Sequence, residues 1–382
     1  MKAFAQLISI IVPISFPLSV TLSSILFIIL IIFPILKFKD FAIFSKKFKL
    51  FYLLFFLFLL SYTLSAILSC DTVDAIKRAR EYFFYLGIIS VAFIFREKID
   101  LEKILKIFLF FSAISVLYSI LSILRGTANE GRAHGFFLHP LTYAGFLIIP
   151  TLFSVGLFFI KKKSTQKIIL LLISLILFLG LILTDSRGAI VVTFLSLLIL
   201  IYKFSKKLIL PLIVVALFFS ALFIIKNPLN LREKALREQS LKKRLELIRA
   251  FPEFFLKRAL FGYGRVHTQK IVSHLEKENF NREKLDLLRY MNHFHVSYLQ
   301  VLFYFGISGF LLLYSLFFYL LYILYKKSRE SIFSFLNLVN LFAFLTYGLF
   351  EINIFADEIL LPLFFFIGIS LVENENNSIF RV

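Results

Sequence analysis

The chain has 382 residues, of which 60% are hydrophobic, 17% are charged and 52 are phenylalanine. Water-soluble domains are about 45–50% apolar and about 25% charged, so this composition excludes a soluble enzyme, a disordered protein and a fibrous protein. There are 43 Lys and Arg against 23 Asp and Glu, a net charge of +20, and the single cysteine excludes an internal disulfide framework. The sequence therefore predicts a membrane protein with a large basic excess.

Apolar stretches of about 20 residues, the length that a spanning helix needs, recur along the chain. Residues 4–38 suffice for two crossings, with Pro13 and Pro17 supplying the turn between them. The other predicted spans are 50–69, 82–95, 104–124, 138–160, 168–184, 187–202, 208–225, 295–325, 331–350 and 358–372. This pattern predicts an all-α, polytopic membrane protein of about 12 transmembrane helices, nine in residues 1–225 and three in residues 295–382.

Lys and Arg accumulate in alternate breaks between the spans, which is typical of cytoplasmic loops. These basic breaks lie within 37–49, 96–103, 161–167, 203–207 and 326–329. The opposite set includes the short 184–186 turn and the acidic 351–358 break. The break at 71–80 belongs to this outside set but fits it less well, because it holds Lys77, Arg78 and Arg80. We expect both termini to lie in the cytoplasm and no signal peptide to be removed.

Residues 226–294 form a mostly polar loop that the same alternation places outside. The loop holds 16 Lys and Arg against 8 Asp and Glu. Long loops are translocated regardless of their charge, so a solvated basic surface explains the surplus as well as an anionic lipid or pyrophosphate ligand does. Leu241, Leu245 and Ile248 recur at helical spacing and predict a helix over 231–250 that lies on the bilayer surface or caps the bundle.

Two further helices are predicted in this loop. Pro252 is expected to open a short helix that ends at the Gly262–Tyr263–Gly264 turn, and residues 266–290 are expected to form the next one.

The histidines all lie in two outside loops or at their edges, at His134, His139, His267, His274, His293 and His295. His293 and His295 are two residues apart, without a His-Glu-x-x-His motif or a carboxylate cluster beside them, and the spacing of Asp71 and Asp74 is common. No phosphate-binding Gly-x-x-x-x-Gly-Lys-Ser/Thr loop is present. The sequence therefore predicts neither a catalytic metal nor a cofactor.

Two further features carry candidate chemistry. Arg187 lies on the short turn Asp185–Ser186–Arg187–Gly188–Ala189, where it is either a snorkelling interfacial side chain or a ligand held close to the mouth of the bundle. His295 begins a span at headgroup depth, where an imidazole can accept a proton near pH 7. Arg244 and Arg265 lie in the basic loop, where a single arginine is most often a surface residue.

Taken together and in order, these motifs resemble the O-antigen ligase and O-antigen polymerase superfamily. The resemblance rests on 186–189 before a span, Arg244 ahead of the Gly-Tyr-Gly turn, and His295-x-x-Tyr298–Leu299–Gln300 leading into Gly306-x-x-Gly309. It also includes the segment from Gly131–Arg132 to His139–Pro140, which resembles an earlier outside loop of the family.

The resemblance implies a GT-C-like membrane glycosyltransferase in the bacterial inner membrane, with its active site facing the periplasm and 226–294 as a periplasmic helical loop. Its closest likeness is to ligases, which transfer a polysaccharide from undecaprenyl pyrophosphate to a lipid A–core hydroxyl by an inverting, metal-independent reaction. Carried over, Arg187 and Arg244 would bind the donor pyrophosphate and His295 would act on the acceptor. Membrane lipids are further expected partners, and nucleic acid is not.

This chain has His295–Val296 where the family often has His-Asn. Asn292 and His293 are close enough to substitute, so His293 is a second candidate for the catalytic histidine, and Arg265 and Arg132 are secondary candidates for binding. An O-antigen polymerase or a protein O-oligosaccharyltransferase would use the same donor. A transporter for an anionic solute would need interrupted helices in matching halves, which the sequence does not show. A structural scaffold would leave the outside arginines and histidines unexplained.

Overall fold

The structure is a computed structural model, and it describes residues 2–96, 100–128, 131–208 and 231–372. In these residues all regular structure is helical, which confirms the predicted all-α fold. The helices are α1 (Lys2–Leu18), α2 (Val20–Ile32), α3 (Phe38–Ser45), α4 (Lys49–Ile67), α5 (Thr72–Arg78), α6 (Gly87–Ile94), α7 (Leu101–Leu124), α8 (Pro140–Ile160), α9 (Ser164–Leu183), α10 (Arg187–Phe204), α11 (Leu231–Lys257), α12 (Thr268–Lys277), α13 (Arg282–Met291), α14 (Ser297–Lys327), α15 (Ile332–Tyr347) and α16 (Asp357–Ser370).

Several of these helices have the length and composition of membrane spans. Within the described ranges, six helical stretches are long and apolar enough to cross a membrane: Val20–Ile67, Leu101–Leu124, Pro140–Ile160, Ser164–Leu183, Arg187–Phe204 and Ser297–Lys327. Ala3–Leu18 and Ile332–Tyr347 are apolar but shorter. The composition and the helix lengths of the chain are therefore those of a multi-pass membrane protein, as predicted. The predicted span 208–225 lies, apart from its first residue, outside the described residues.

The chain divides into two compact units. Unit 1 comprises Met1–Leu53, Arg80–Leu200 and Leu316–Val382, and unit 2 comprises Leu54–Ala79 and Ile201–Ser315.

Unit 1 is built around α8, which packs against α7, α9, α15 and α16. Helix α8 begins at Pro140, a residue that suits the first helical position because its missing N–H needs no partner there. Its inner face is aromatic: the Phe153 ring lies 4.8 Å from that of Phe366, which in turn lies 4.9 Å from the Phe108 ring. Burial of such rings stabilises the bundle independently of any polar pattern.

Unit 2 is organised by α11, and here one sequence prediction is wrong. A helix boundary was predicted at Pro252, but α11 continues through it to Lys257. An interior proline keeps helical φ but removes one hydrogen bond and crowds the carbonyl of the residue four before it, so the helix continues only where packing compensates. The buried rings of Phe251 and Phe254 hold the helix against the unit on both sides of the proline, and the Phe254 ring stacks 4.7 Å from Phe280.

The predicted helix over 266–290 is two helices, α12 and α13, which pack against each other. Asn279, just after the first helix, has a left-handed backbone with φ 56°. Asn281 then caps the second helix, because its side chain accepts a hydrogen bond from the Lys284 N–H at 3.3 Å. Both residues have the short amide side chain that tolerates such positions, and they return the chain within the loop.

Candidate functional site

In unit 1, Arg187 begins α10 directly after a tight turn. Asp185 has a left-handed backbone with φ 55°, which reverses the chain after α9. The Ser186 side chain is buried, with its Oγ 3.4 Å from both the Ala189 N–H nitrogen and the Tyr347 hydroxyl. Because the serine is fixed inside the bundle, the neighbouring Arg187 side chain is exposed at the helix start. This placement agrees with a short turn that holds the arginine at the edge of the bundle.

Arg132 lies at the same turn. Its Nε donates to the Thr184 carbonyl at 2.9 Å, and the adjacent Ala133 N–H donates to the Leu183 carbonyl at 2.9 Å. The segment is anchored further along by the Gly135 N–H, which donates to a buried serine of α7 at 2.7 Å. The structure therefore brings the predicted early outside loop to the turn that carries Arg187.

In unit 2, the Gly262–Tyr263–Gly264 turn sits against a break in α14. Gly306 has φ 65° and ψ −167°, which interrupts the helix and leaves carbonyls of its preceding turn available. Tyr263 and Gly264 donate to the Phe303 and Tyr304 carbonyls at 3.0 and 2.9 Å. We call this contact between 259–264 and 303–308 the glycine interlock.

The interlock also runs in the opposite direction. The Ile307 N–H donates to the Ala259 carbonyl at 2.8 Å, and the Ser308 N–H donates to the Leu260 carbonyl at 3.2 Å. Gly262 and Gly306, the two glycines at the crossing, are both required by space. A Cβ on Gly306, for example, would lie 2.4 Å from the Leu260 carbonyl carbon. The two glycine motifs of the sequence are thus one structural contact.

Arg265 follows this turn directly and is only 7% exposed. It lies close to the Tyr304 hydroxyl, which hydrogen-bonds with the side chains of Thr268 and Gln300. The charge of Arg78, on α5, acts on the same hydroxyl. Side chains of α12, α14 and α5 therefore act on one tyrosine hydroxyl.

The loop of residues 292–296 presents His293 and His295 together. Their ring centroids lie 3.9 Å apart, and the His295 N–H lies 3.3 Å from His293 Nδ1, which accepts its hydrogen bond. Asn292 and His295 have left-handed backbones with φ 61° and 55°. Such values are uncommon for residues other than glycine and, in a well-packed loop, are often found at functional sites.

Two buried contacts fix this loop. The Phe294 N–H donates to Gln300 Oε1 at 3.0 Å, and the Thr268 hydroxyl donates to the Asn292 carbonyl at 2.5 Å. Phe294 is buried, and its ring lies 5.1 Å from that of Phe303. The loop geometry is therefore set by groups on two separate helices, α12 and α14.

Arg244 is half-buried on α11. It lies near the face of the helix that packs against the 292–296 loop. It is seven residues, about two turns, before Phe251 and so lies on nearly the same face of the helix. The Phe251 ring packs against that of Phe294 at 5.2 Å. Arg244, Arg265 and the histidine pair thus all belong to unit 2, whereas Arg132 lies at the turn that carries Arg187 in unit 1.

The 71–80 break contributes contacts that were not predicted from the sequence. In unit 2, Arg78 lies 2.8 Å from His267 Nε2, and the His267 N–H donates to Asp74 Oδ2 at 3.1 Å. Lys270 donates to Asp71 Oδ2 at 2.7 Å. The sequence did carry one signal, since the basic residues of this break fit poorly in a loop that the charge pattern places outside. In the structure, charged residues of the break contact the 265–270 segment.

These contacts shift the ionisation of the carboxylates. The hydrogen bond from Lys270 lowers the pKa of Asp71 and raises the pKa of Lys270. Burial acts to raise the pKa of Asp74, but the His267 N–H and the Arg78 charge outweigh it, so that this pKa is also lowered. Among the described residues, no group of three His, Cys, Asp or Glu side chains lies together in a way that could hold a metal ion.

The fold and these sites define a multi-pass, all-helical membrane protein with polar groups gathered at helix ends and loops. Residues 172–314 match the protein family described as O-antigen ligase, which confirms the resemblance to that superfamily over this segment. The match includes Arg187, Arg244, Arg265 and both candidate histidines, whereas Arg132 precedes it. No curated protein matches the chain. The family match indicates an activity of the O-antigen ligase or polymerase type.

Proposed function

We propose that this protein is a glycosyltransferase that moves a polysaccharide from undecaprenyl pyrophosphate to a hydroxyl of lipid A–core, with inversion at the transferred sugar and without a metal ion. The proposal includes about 12 spans in a GT-C-like arrangement, location in the bacterial inner membrane, and 226–294 as a periplasmic loop. Residues 1–225 and 295–382 would contain the spans, and the C-terminus would be cytoplasmic.

The observation that carries the proposal is the family match over 172–314, because it covers the Arg187 turn, the basic loop, the histidine pair and the glycine interlock. It is supported by the way in which unit 2 fixes His293 and His295 through buried contacts to neighbouring elements. A loop held in a left-handed conformation by packing is preorganised, which is what a reacting group requires.

On the donor side, the bond between the sugar and the pyrophosphate breaks, and negative charge develops on the leaving group. Guanidinium groups stay charged and bind phosphate oxygens with two parallel hydrogen bonds, so they can stabilise that charge. We assign this role to Arg187, exposed at the start of α10, and to Arg244, half-buried on α11. Arg265 and Arg132 remain secondary candidates for the same chemistry.

On the acceptor side, the hydroxyl oxygen attacks the anomeric carbon from the face opposite the leaving group, which inverts the configuration. Its proton must leave as the new bond forms, and we assign its removal to the imidazole of His295. General-base assistance of this kind contributes about 10²–10⁴-fold to the rate. His293, whose ring lies 3.9 Å away, is the alternative base.

The test is transfer by the purified protein in liposomes that contain undecaprenyl-pyrophosphate glycan, with lipid A–core, a second donor molecule or a protein acceptor offered in parallel. We expect product on lipid A–core, in the presence of a chelator as well as in its absence. Transfer only onto a second donor would show a polymerase, and transfer onto protein a protein glycosyltransferase. Loss of all transfer on chelation would contradict the metal-independent reaction.

The variant that tests His295 must tolerate the left-handed backbone at that position. His295→Asn is preferable to alanine, because asparagine tolerates the left-handed conformation while lacking a basic nitrogen. We expect it to retain donor binding and to lose about 10²-fold or more in turnover. If His293→Asn loses turnover and His295→Asn does not, the assignment of the base is wrong.

Arg187→Ala and Arg244→Ala are expected to weaken donor binding. Arg282→Ala, on the exposed start of α13, is the matched control and should bind donor normally. Normal binding and ligation by both arginine variants would refute their assignment without touching the histidine result.

A further inference from the structure

Helix α11 has apolar side chains on two opposite faces, and among the residues that the structure describes only one of these faces is buried. Leu247, Phe251 and Phe254 are buried in unit 2. On the other side, Leu241 and Leu245 are 58% and 46% exposed. This second face is the one that the sequence pattern singles out, so that pattern does not describe packing within the unit.

The exposed apolar side chains form a continuous stripe. At about 3.6 residues per turn, Leu241, Leu245, Pro252 and Leu256 fall within roughly 60° of one another around the helix axis. Leu256 is 73% exposed, and Leu260, in the turn after the helix, is 60% exposed. We call Leu241, Leu245, Pro252, Leu256 and Leu260 the leucine stripe.

Basic residues flank the leucine stripe. By the same spacing, Lys242 and Arg249 lie along one edge and Arg244 along the other, and both Lys242 and Arg249 are exposed. Glu253 also lies near the first edge, but it is paired with Lys284. An apolar stripe with basic edges is the pattern of a helix that lies in the surface of an anionic bilayer, where long basic side chains reach the headgroups.

The stripe also ends at a helix that is long and apolar enough to cross the membrane. The Leu260 carbonyl accepts hydrogen bonds from the Ser308 N–H and hydroxyl of α14, at 3.2 and 2.7 Å. Ile307 and Leu311, beside this contact on α14, are themselves exposed apolar residues. The stripe therefore continues the apolar surface of a spanning helix instead of standing alone in water.

We propose that α11 lies on the outer surface of the bilayer, with the leucine stripe inserted among the acyl chains and Lys242 and Arg249 bound to anionic lipid phosphates. The occupant of this face is a lipid surface, because the flanking basic residues suit anionic headgroups and the stripe is joined to α14, which is long and apolar enough to cross the membrane. Such a helix inserts its apolar face about 5–10 Å into the headgroup and acyl boundary. The inference does not depend on the transfer reaction proposed above.

The chain contains no tryptophan, so one introduced tryptophan reports its own surroundings without background. Leu245→Trp and Leu256→Trp replace exposed residues and should not disturb the core. Glu283→Trp, exposed on α13, is the matched control. Each variant of the full chain is placed in nanodiscs of phosphatidylcholine and phosphatidylglycerol, and its quenching is measured with brominated acyl chains and with aqueous acrylamide.

We expect brominated lipid to quench the two stripe tryptophans several-fold more than the control, and acrylamide to quench them less. Equal acrylamide quenching of stripe and control would show a stripe in water and overturn the proposal. Protection from both quenchers would show a protein partner or a second copy of the chain, and would also overturn it.

The charge contribution is tested in the Leu245→Trp background. Lys242→Gln with Arg249→Gln should reduce the dependence of lipid quenching on the phosphatidylglycerol fraction, since basic residues near an anionic surface each add to binding. Arg282→Gln is the control and should leave that dependence unchanged. An unchanged dependence in the double variant would refute the assigned headgroup contacts.

Discussion

The glycine interlock makes a sharp prediction for Gly306→Ala. The residue has φ 65° and ψ −167°, a region that is almost confined to glycine and costs other residues about 1–3 kcal/mol. The new Cβ would also lie 2.4 Å from the carbonyl carbon and oxygen of Leu260 and 2.5 Å from the Phe261 nitrogen. Because these are backbone atoms, they cannot rotate away, and the 259–264 segment must shift.

A shift that breaks two of the four main-chain hydrogen bonds of the interlock adds roughly 2 kcal/mol, at about 1 kcal/mol each. The whole effect is therefore about 3–5 kcal/mol of unfolding free energy, which should lower the melting temperature by roughly 10 °C for a unit of this size. The assay is thermal unfolding of the purified protein in nanodiscs.

Gly126→Ala is the matched control. Gly126 has a similar φ of 69°, but no atom of the described residues lies within 4 Å of a Cβ at that position. The control therefore carries only the backbone cost, about 1–2 kcal/mol. If Gly306→Ala melts at the same temperature as Gly126→Ala, close backbone packing at the interlock is not what the glycine provides, and the reasoning fails.

Three further predictions follow from unit 2. Phe254→Ala should destabilise the protein by about 3–5 kcal/mol in denaturant unfolding, because the ring is fully buried; a loss below about 1 kcal/mol would contradict the packing described. Gln300→Leu should cost about 1–3 kcal/mol in the same measurement by leaving the buried Phe294 N–H without its acceptor, and an unchanged stability would contradict the described contact. The lowered pKa of Asp71 means that its pair with Lys270 stabilises the fold above the unfolded carboxylate pKa of about 4 and that this contribution is lost as pH falls through the lower folded value. Lys270→Met should therefore flatten the acid limb of melting temperature against pH, and an unchanged limb would refute the coupling.

Helix positions were predictable from the sequence because long apolar runs have few alternatives to helices. Spans such as α7, α8 and α9 begin and end within a few residues of their predictions, since charged breaks mark their ends. The error at Pro252 has the opposite cause. A proline marks a probable boundary by local preference, but burial of the aromatic residues on both sides of it decides the outcome.

The glycine interlock was beyond sequence reasoning for a physical reason. Residues 297–327 are mostly apolar, and nothing local distinguishes Gly306 from a tolerated glycine in a spanning helix. Its role depends on the carbonyls of Ala259 and Leu260, and contacts between main-chain atoms leave no side-chain pattern. The glycines could be recognised in the sequence and contributed to the family resemblance, but the contact between them could not be predicted.

The pairing of Arg78 with His267 was likewise hidden, because the two residues are 189 positions apart. The roles of Arg187, Arg244 and His295 remain predictions that rest on motif and chemistry. The structure adds the loop geometry around the histidines, which their spacing of two residues did not specify.

The order His293–Phe294–His295 has a mechanical consequence. One ring is buried in the aromatic core of unit 2, and the two imidazoles on either side of it are attached to the same anchor. Displacement of the Phe294 backbone therefore shifts the attachment points of both imidazoles together. A substitution such as Phe294→Leu is therefore expected to affect the positions of both histidines.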